Sequence, residues 1–191
     1  MGGRKDSRDV LLNLPNTLTL FRFFCIPLVA ACLNFQGRLG SFLSALFFGL
    51  AFVTDFLDGY FARKHGNVTA LGKFLDPLAD KILVSATMIL LIPLDRIPAW
   101  VVMLIVGREL AVTGLRSIAA KEGTVIQASS LGKYKTIFQS VATIGLCLHY
   151  EYFHVDFHLI GMVFLWAALG LTLWSGWEYF LRFREVFFHG D

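Results

Sequence analysis

The chain has 191 residues, 56% of them hydrophobic and only 16% charged, with a mean hydropathy of +0.64. Soluble domains average about 25% charged residues, so this composition argues against an ordinary soluble domain and predicts an integral membrane protein. A net charge of +3 is small for a nucleic-acid binder, and the length allows one domain.

The chain opens on the polar, basic stretch "MGGRKDSRD". No short apolar core with a small-residue cleavage site follows it, so no removable signal peptide is expected. The next residues, "DVLLNLP", predict a short interfacial helix that ends at Pro15. Residues 1–15 are therefore read as an N-terminal cytoplasmic segment and residues 16–191 as one helical domain. A helix satisfies its own backbone in lipid, and about 20 apolar residues cross the hydrocarbon core. Six stretches qualify: 16–35, 39–64, 69–91, 98–119, 132–149 and 157–183. The expected fold class is an all-α integral membrane protein with six transmembrane helices.

Lys and Arg set the orientation. With six spans, both termini share one side. That side receives Arg4, Lys5, Arg8, Arg63, Lys64, Lys73, Arg116, Lys121, Lys133, Lys135, Arg182 and Arg184, against Arg38 and Arg96 in the opposite loops. The basic side is cytoplasmic, and "HYEYFHVDFH" faces outward. Its Tyr, Phe and His residues suit an interfacial belt, with a metal site as the alternative. Arg22 lies less than two turns from the cytoplasmic end of the first span and reads either as snorkelling or as part of a site. Cys25, Cys32 and Cys147 fall in apolar runs with no metal-ligand spacing and read as small buried hydrophobes.

The most informative stretch is "DFLDGYFARKHGNVTALGKFLDPLADK". Asp55 and Asp58 are three apart, and Asp76 and Asp80 are four apart, so on helices each pair shares a face. The short intervening loop predicts antiparallel neighbours whose carboxylates converge. Burying even one such charge costs several kcal/mol without a partner. Divalent ions relieve this directly, and an all-carboxylate donor set suits a hard ion, Mg²⁺ or Mn²⁺. Four aspartates can hold two ions. Gly59 and Ala62 lie on the Asp55/Asp58 face, and Gly72 lies one turn before Asp76; all three leave room for a ligand. Arg63 can fork onto a phosphate. Thr69 offers a hydroxyl near the start of the third span, where free N–H groups favour anions. The competing reading is a salt-bridge cluster with Arg63, Lys73 and Lys81.

These residues fit the pattern D-x2-D-G-x2-A-R-x8-G-x3-D-x3-D without departure, eight fixed positions over 26 residues. On them the chain resembles the CDP-alcohol phosphotransferase family. The resemblance implies that Asp55, Asp58 and Asp76 are metal ligands. Asp80 would complete the second metal position and is the candidate general base. Asp58, Gly59, Ala62, Arg63, Thr69 and Gly72 would bind the CDP-lipid. The implied reaction is attack of an acceptor hydroxyl on the β-phosphorus, with CMP leaving. Homodimers and a bacterial cytoplasmic membrane are implied by the resemblance alone.

The acceptor is read from "GRELAVTGLRSIAAKEG" and "SSLGKYKT". Arg108 and Arg116 are eight apart, roughly 12 Å along a helix axis, and Lys133 and Lys135 begin the fifth span. A phosphorylated acceptor calls for such a cluster; a bare polyol or serine does not. Ordinary positive-inside decoration competes for the lysines, and a structural pair with Glu109 competes for Arg108. These segments, with "NLPNTLTLFR", resemble the branch of the family that uses sn-glycerol 3-phosphate and CDP-diacylglycerol. A sibling enzyme using serine, inositol phosphate or phosphatidylglycerol is the alternative. A divalent-cation transporter is a third reading, disfavoured because the acids cluster near one face.

Overall fold

The structure is a computed structural model that describes residues 14–35, 37–65, 70–121 and 130–188. It divides into two compact units, Met1–Leu90 and Leu91–Asp191.

The first unit carries helices α1 (Leu14–Asn34), α2 (Arg38–His65) and α3 (Ala70–Leu91, whose last residue opens the second unit). Helices α1 and α2 pack as a tight hairpin. Gly37 turns the chain at φ +113°, a conformation L side chains rarely adopt. At Gly40 a Cβ would lie 2.0 Å from the Phe35 carbonyl oxygen, so glycine alone permits this return. Many of the buried residues are small and helically spaced: Cys25, Val29 and Cys32 on α1, then Ser41, Ser44, Ala45 and Ala51 on α2, with Arg22, Leu33 and Phe48 as larger buried neighbours. Small residues let helix backbones approach closely where lipid-like surroundings offer little other drive. The hydroxyls of Ser44 and Thr54 donate to the carbonyls of Ser41 and Leu50 in their own helix (2.8 and 2.7 Å), which satisfies them locally.

The second unit begins with a 3-10 turn, Ile92–Leu94, followed by α4 (Ala99–Lys121), α5 (Ser130–Leu148), a minimal hairpin and α6 (Phe157–Phe188). In the hairpin, β1 (Glu151–Tyr152) pairs antiparallel with β2 (Val155–Asp156) through Phe153 and His154, both at positive φ. Asp156 starts α6 by accepting a hydrogen bond from the Leu159 amide at 3.1 Å. Helices α5 and α6 run antiparallel. Gln139 donates to Thr172 at 3.1 Å, Gly145 meets Gly161, and His149 and His158 share an Nδ1···Nδ1 contact of 3.2 Å. Helices α4 and α6 run parallel, with Trp100 against Trp166 at one end and Arg108 against Ser175 further on. Arg96, buried in the turn before α4, donates from Nη1 to the Cys147 carbonyl at 2.8 Å and lies 5.9 Å from the Tyr150 ring. A cation on the last carbonyls of α5 satisfies orphan acceptors and opposes the helix dipole.

Each of the six predicted spans falls on an observed α-helix, and the all-α expectation holds. Helix α1 starts at Leu14, so Pro15 sits in its first turn, not at the end of a separate element. A missing N–H costs nothing there. The predicted interfacial helix before it lies outside the described residues. Among the described residues one stretch, Phe157–Leu181, is by length and composition apolar enough to cross a membrane, at 25 residues and hydropathy 1.8. The three cysteines are buried, as expected. Arg22 is only 1% exposed, which rules out a snorkelling side chain.

Candidate active site

The two aspartate pairs lie on helical backbone. Asp55, Asp58, Gly59, Ala62 and Arg63 belong to the C-terminal part of α2, and Gly72, Asp76 and Asp80 to the N-terminal half of α3. On helices, spacings of three and four put each pair on one face. Only residues 66–69 separate α2 from α3. Thr69 lies outside the described residues, as do the side chains of Asp55, Asp58, Ala62, Arg63, Asp76, Asp80 and Lys133 and the surroundings of Gly59 and Gly72. Among the described residues no group of three or more His, Cys, Asp or Glu could hold a metal ion. The carboxylates on α2 and α3 fit a hard divalent ion by donor chemistry, being all oxygen and all anionic.

The basic cluster is described at the level of side chains. It centres on Glu109, whose Oε1 accepts from Arg108 Nη1 at 3.2 Å and from Lys135 Nζ. Glu109 thereby joins α4 to the start of α5. All three side chains are largely buried, with 13% of Arg108, 14% of Glu109 and 7% of Lys135 exposed. This burial overturns the surface-decoration reading for Lys135. Arg108 Nη2 donates to Ser175 Oγ on α6 at 2.9 Å, and Ser175 in turn donates to the Thr172 carbonyl at 3.2 Å. Arg116, two turns beyond Arg108, has its guanidinium 5.5 Å from the Tyr179 ring centre. On its other flank Arg108 borders an apolar groove of about 730 Å³ lined by Met103, Leu104, Gly107, Leu173, Trp177 and Phe180.

Arg108, Lys135 and Arg116 bring three cations to the helices of this unit, and Glu109 is the carboxylate that pairs with two of them. A structural Arg108–Glu109 pair is therefore real among the described residues, and Lys135 shares its carboxylate, while Arg116 stands exposed. The sequence reading missed the contribution of α6. The signal was present in Thr172, Ser175, Gly176 and Tyr179, which recur at i, i+3, i+4 and i+7 and give an apolar helix one polar, small-residue face.

Comparison with known proteins gives the same family. The profile of the CDP-alcohol phosphatidyltransferase family matches residues 12–174. The chain is 45% identical over 192 residues to a CDP-diacylglycerol–glycerol-3-phosphate 3-phosphatidyltransferase of Bacillus subtilis (strain 168), covering 92% of this chain and 97% of that one. It is 40% identical over 179 residues to the protein of that name from Rickettsia bellii (strain RML369-C), with 92% and 97% covered. A probable phosphatidylglycerophosphate synthase of Mycobacterium tuberculosis (strain ATCC 25618 / H37Rv) is 38% identical over 183 residues, with 94% and 86% covered. The chain belongs to the CDP-alcohol phosphatidyltransferase family.

Proposed function

We propose that this chain transfers the phosphatidyl group of CDP-diacylglycerol to sn-glycerol 3-phosphate, giving phosphatidylglycerophosphate and CMP in glycerophospholipid synthesis. Relatives named for that reaction match nearly the whole chain. The observation that carries the acceptor is the buried Arg108–Glu109–Lys135 group, which suits a phosphorylated acceptor and would be a burden to an enzyme for serine.

Asp55, Asp58, Asp76 and Asp80 would hold two Mg²⁺ or Mn²⁺ ions. When bound, these ions neutralise the diphosphate and the departing CMP oxygens. Gly59, Ala62 and Gly72 leave space for the cytidine diphosphate head, and Arg63 and Thr69 donate to its phosphates. Arg108, Arg116, Lys133 and Lys135 hold the acceptor phosphate. The free hydroxyl of the acceptor forms a bond to the β-phosphorus, the bond from that phosphorus to CMP breaks, and Asp80 takes the hydroxyl proton. Positioning and charge neutralisation supply most of the rate in such transfers.

We place the chain in a bacterial cytoplasmic membrane as six spans, forming one domain, with both termini and the site on the cytoplasmic side, and as a homodimer. Large apolar side chains stand exposed along α1, α2, α4 and α6, among them Phe24, Leu50, Met103, Leu110, Leu159, Val163 and Trp174. An aqueous protein rarely exposes that much apolar surface, whereas lipid covers it.

The test is purified protein with CDP-diacylglycerol, Mg²⁺ or Mn²⁺, and a panel of acceptors. CMP release that depends on glycerol 3-phosphate is expected. Release only with serine, inositol phosphate or phosphatidylglycerol would move the chain to a sibling activity. No release with any acceptor or divalent ion would end the proposal.

A further inference from the structure

We infer that Ser175 is a positioning residue for the acceptor site: it fixes the plane of the Arg108 guanidinium from helix α6. The inference rests on the reading above that Arg108 takes the acceptor phosphate. Ser175, Gly176 and Tyr179 all lie beyond residue 174, where the family profile ends.

The geometry argues as follows from the side chain outward. A guanidinium carries five N–H donors in a rigid plane. In Arg108, Nη1 donates to Glu109 and Nη2 to Ser175, while Nε is buried with no partner among the described residues. One N–H therefore remains on each Nη as a donor that an anionic oxygen can accept. Ser175 is suited to hold this arrangement. It is 2% exposed, and its own proton goes to the Thr172 carbonyl, so its oxygen presents a lone pair to Arg108. Glu109 alone fixes one corner of the plane. With Ser175 removed, the guanidinium can swing about the Cδ–Nε bond toward Glu109 and turn its free edge away.

Gly176 supplies the space. A Cβ there would stand 3.0 Å from Arg108 Cγ and 3.1 Å from Nε, closer than side-chain carbons normally come. These atoms belong to the middle of the arginine, tethered at both Nη ends, so they cannot move aside freely. One turn on, Tyr179 backs Arg116 in the same way.

The experiment uses the full chain in detergent micelles with CDP-diacylglycerol, Mg²⁺ and glycerol 3-phosphate. Ser175→Ala should raise the KM for glycerol 3-phosphate by about fivefold to tenfold, the scale of one ordinary net hydrogen bond. The kcat and the KM for CDP-diacylglycerol should stay within about twofold, since one lost positioning contact leaves donor binding alone. Ser175→Thr keeps the hydroxyl and should restore the acceptor KM, and Gly176→Ala should copy the Ser175→Ala signature. In an Arg108→Ala background, Ser175→Ala should add nothing. An unchanged acceptor KM in Ser175→Ala, equal losses for both substrates, or multiplying effects in the double variant would each overturn the inference. If Arg108→Ala itself leaves the acceptor KM unchanged, the acceptor reading fails instead, which separates the two.

Discussion

At the scale of single residues, the carboxylates and the buried cations make opposite demands. Four aspartates on two helices need positive charge brought to them, and the asparagine variants test this. Asp76→Asn and Asp80→Asn keep size and hydrogen-bonding capacity but remove the charge that would hold an ion or take a proton. Each should lower CMP release by about 100-fold or more while the protein still elutes as a folded species. Retention of most activity in both would refute the two-ion reading. Arg96 has the reverse role, since it is a cation whose partners are backbone carbonyls. Burial pushes its guanidinium below the usual arginine value, and the neighbouring Cys147, Tyr150 and Tyr152 oppose that shift. Arg96→Met fills similar volume but removes the charged donor to the Cys147 carbonyl at the end of α5. It should cost about 1.5–3 kcal/mol, read as equilibrium unfolding in mixed micelles, without a change in the KM of either substrate.

At the scale of elements, the chain was legible where one rule dominated. Apolar runs of span length located every helix, and the aspartate spacing put both pairs on helices, because length and period are properties of the segment alone. What stayed hidden depends on a neighbour. Gly145 and Gly161 look like ordinary glycines in apolar runs, yet a Cβ on Gly145 would lie 2.8 Å from Gly161 Cα, so α5 and α6 touch through their backbones there. The role of Ser175 was hidden for the same reason, since its partner Arg108 lies 67 residues away. The buried state of Lys135 was masked by its position in a basic stretch that also suits a solvated edge. The close approach of α5 and α6 gives its own prediction. Gly145→Val or Gly161→Val forces two helices apart against a backbone that cannot yield, at a cost of about 1–3 kcal/mol or more. Gly170→Ala, where a Cβ meets nothing within 4 Å, is the control and should leave stability unchanged or raise it by up to about 1 kcal/mol. Equal stability of all three variants would show that the helices do not meet as described.

At the scale of the whole molecule, the charge bias between loops supports the orientation proposed above. Twelve of the 17 Lys and Arg residues fall on the side assigned to the cytoplasm and only Arg38 and Arg96 in the opposite loops, with Arg22, Lys81 and Arg108 inside the spans. The proposed substrates fit the same direction, because soluble glycerol 3-phosphate would reach the proposed site from the cytoplasm while the CDP-lipid would arrive through the bilayer. The hairpin between α5 and α6 makes this measurable. Phe153 stands at its tip with 96% of its surface exposed, while Cys25, Cys32 and Cys147 are 0%, 8% and 0% exposed. The native thiols should therefore stay silent to a membrane-impermeant maleimide, so a single added cysteine reports its own side. In intact spheroplasts, Phe153→Cys should label at once. Ser7→Cys should label only after the membrane is opened. Labelling of Ser7→Cys in intact cells, or protection of Phe153→Cys until lysis, would invert the topology and put the basic cluster on the side where no glycerol 3-phosphate is supplied.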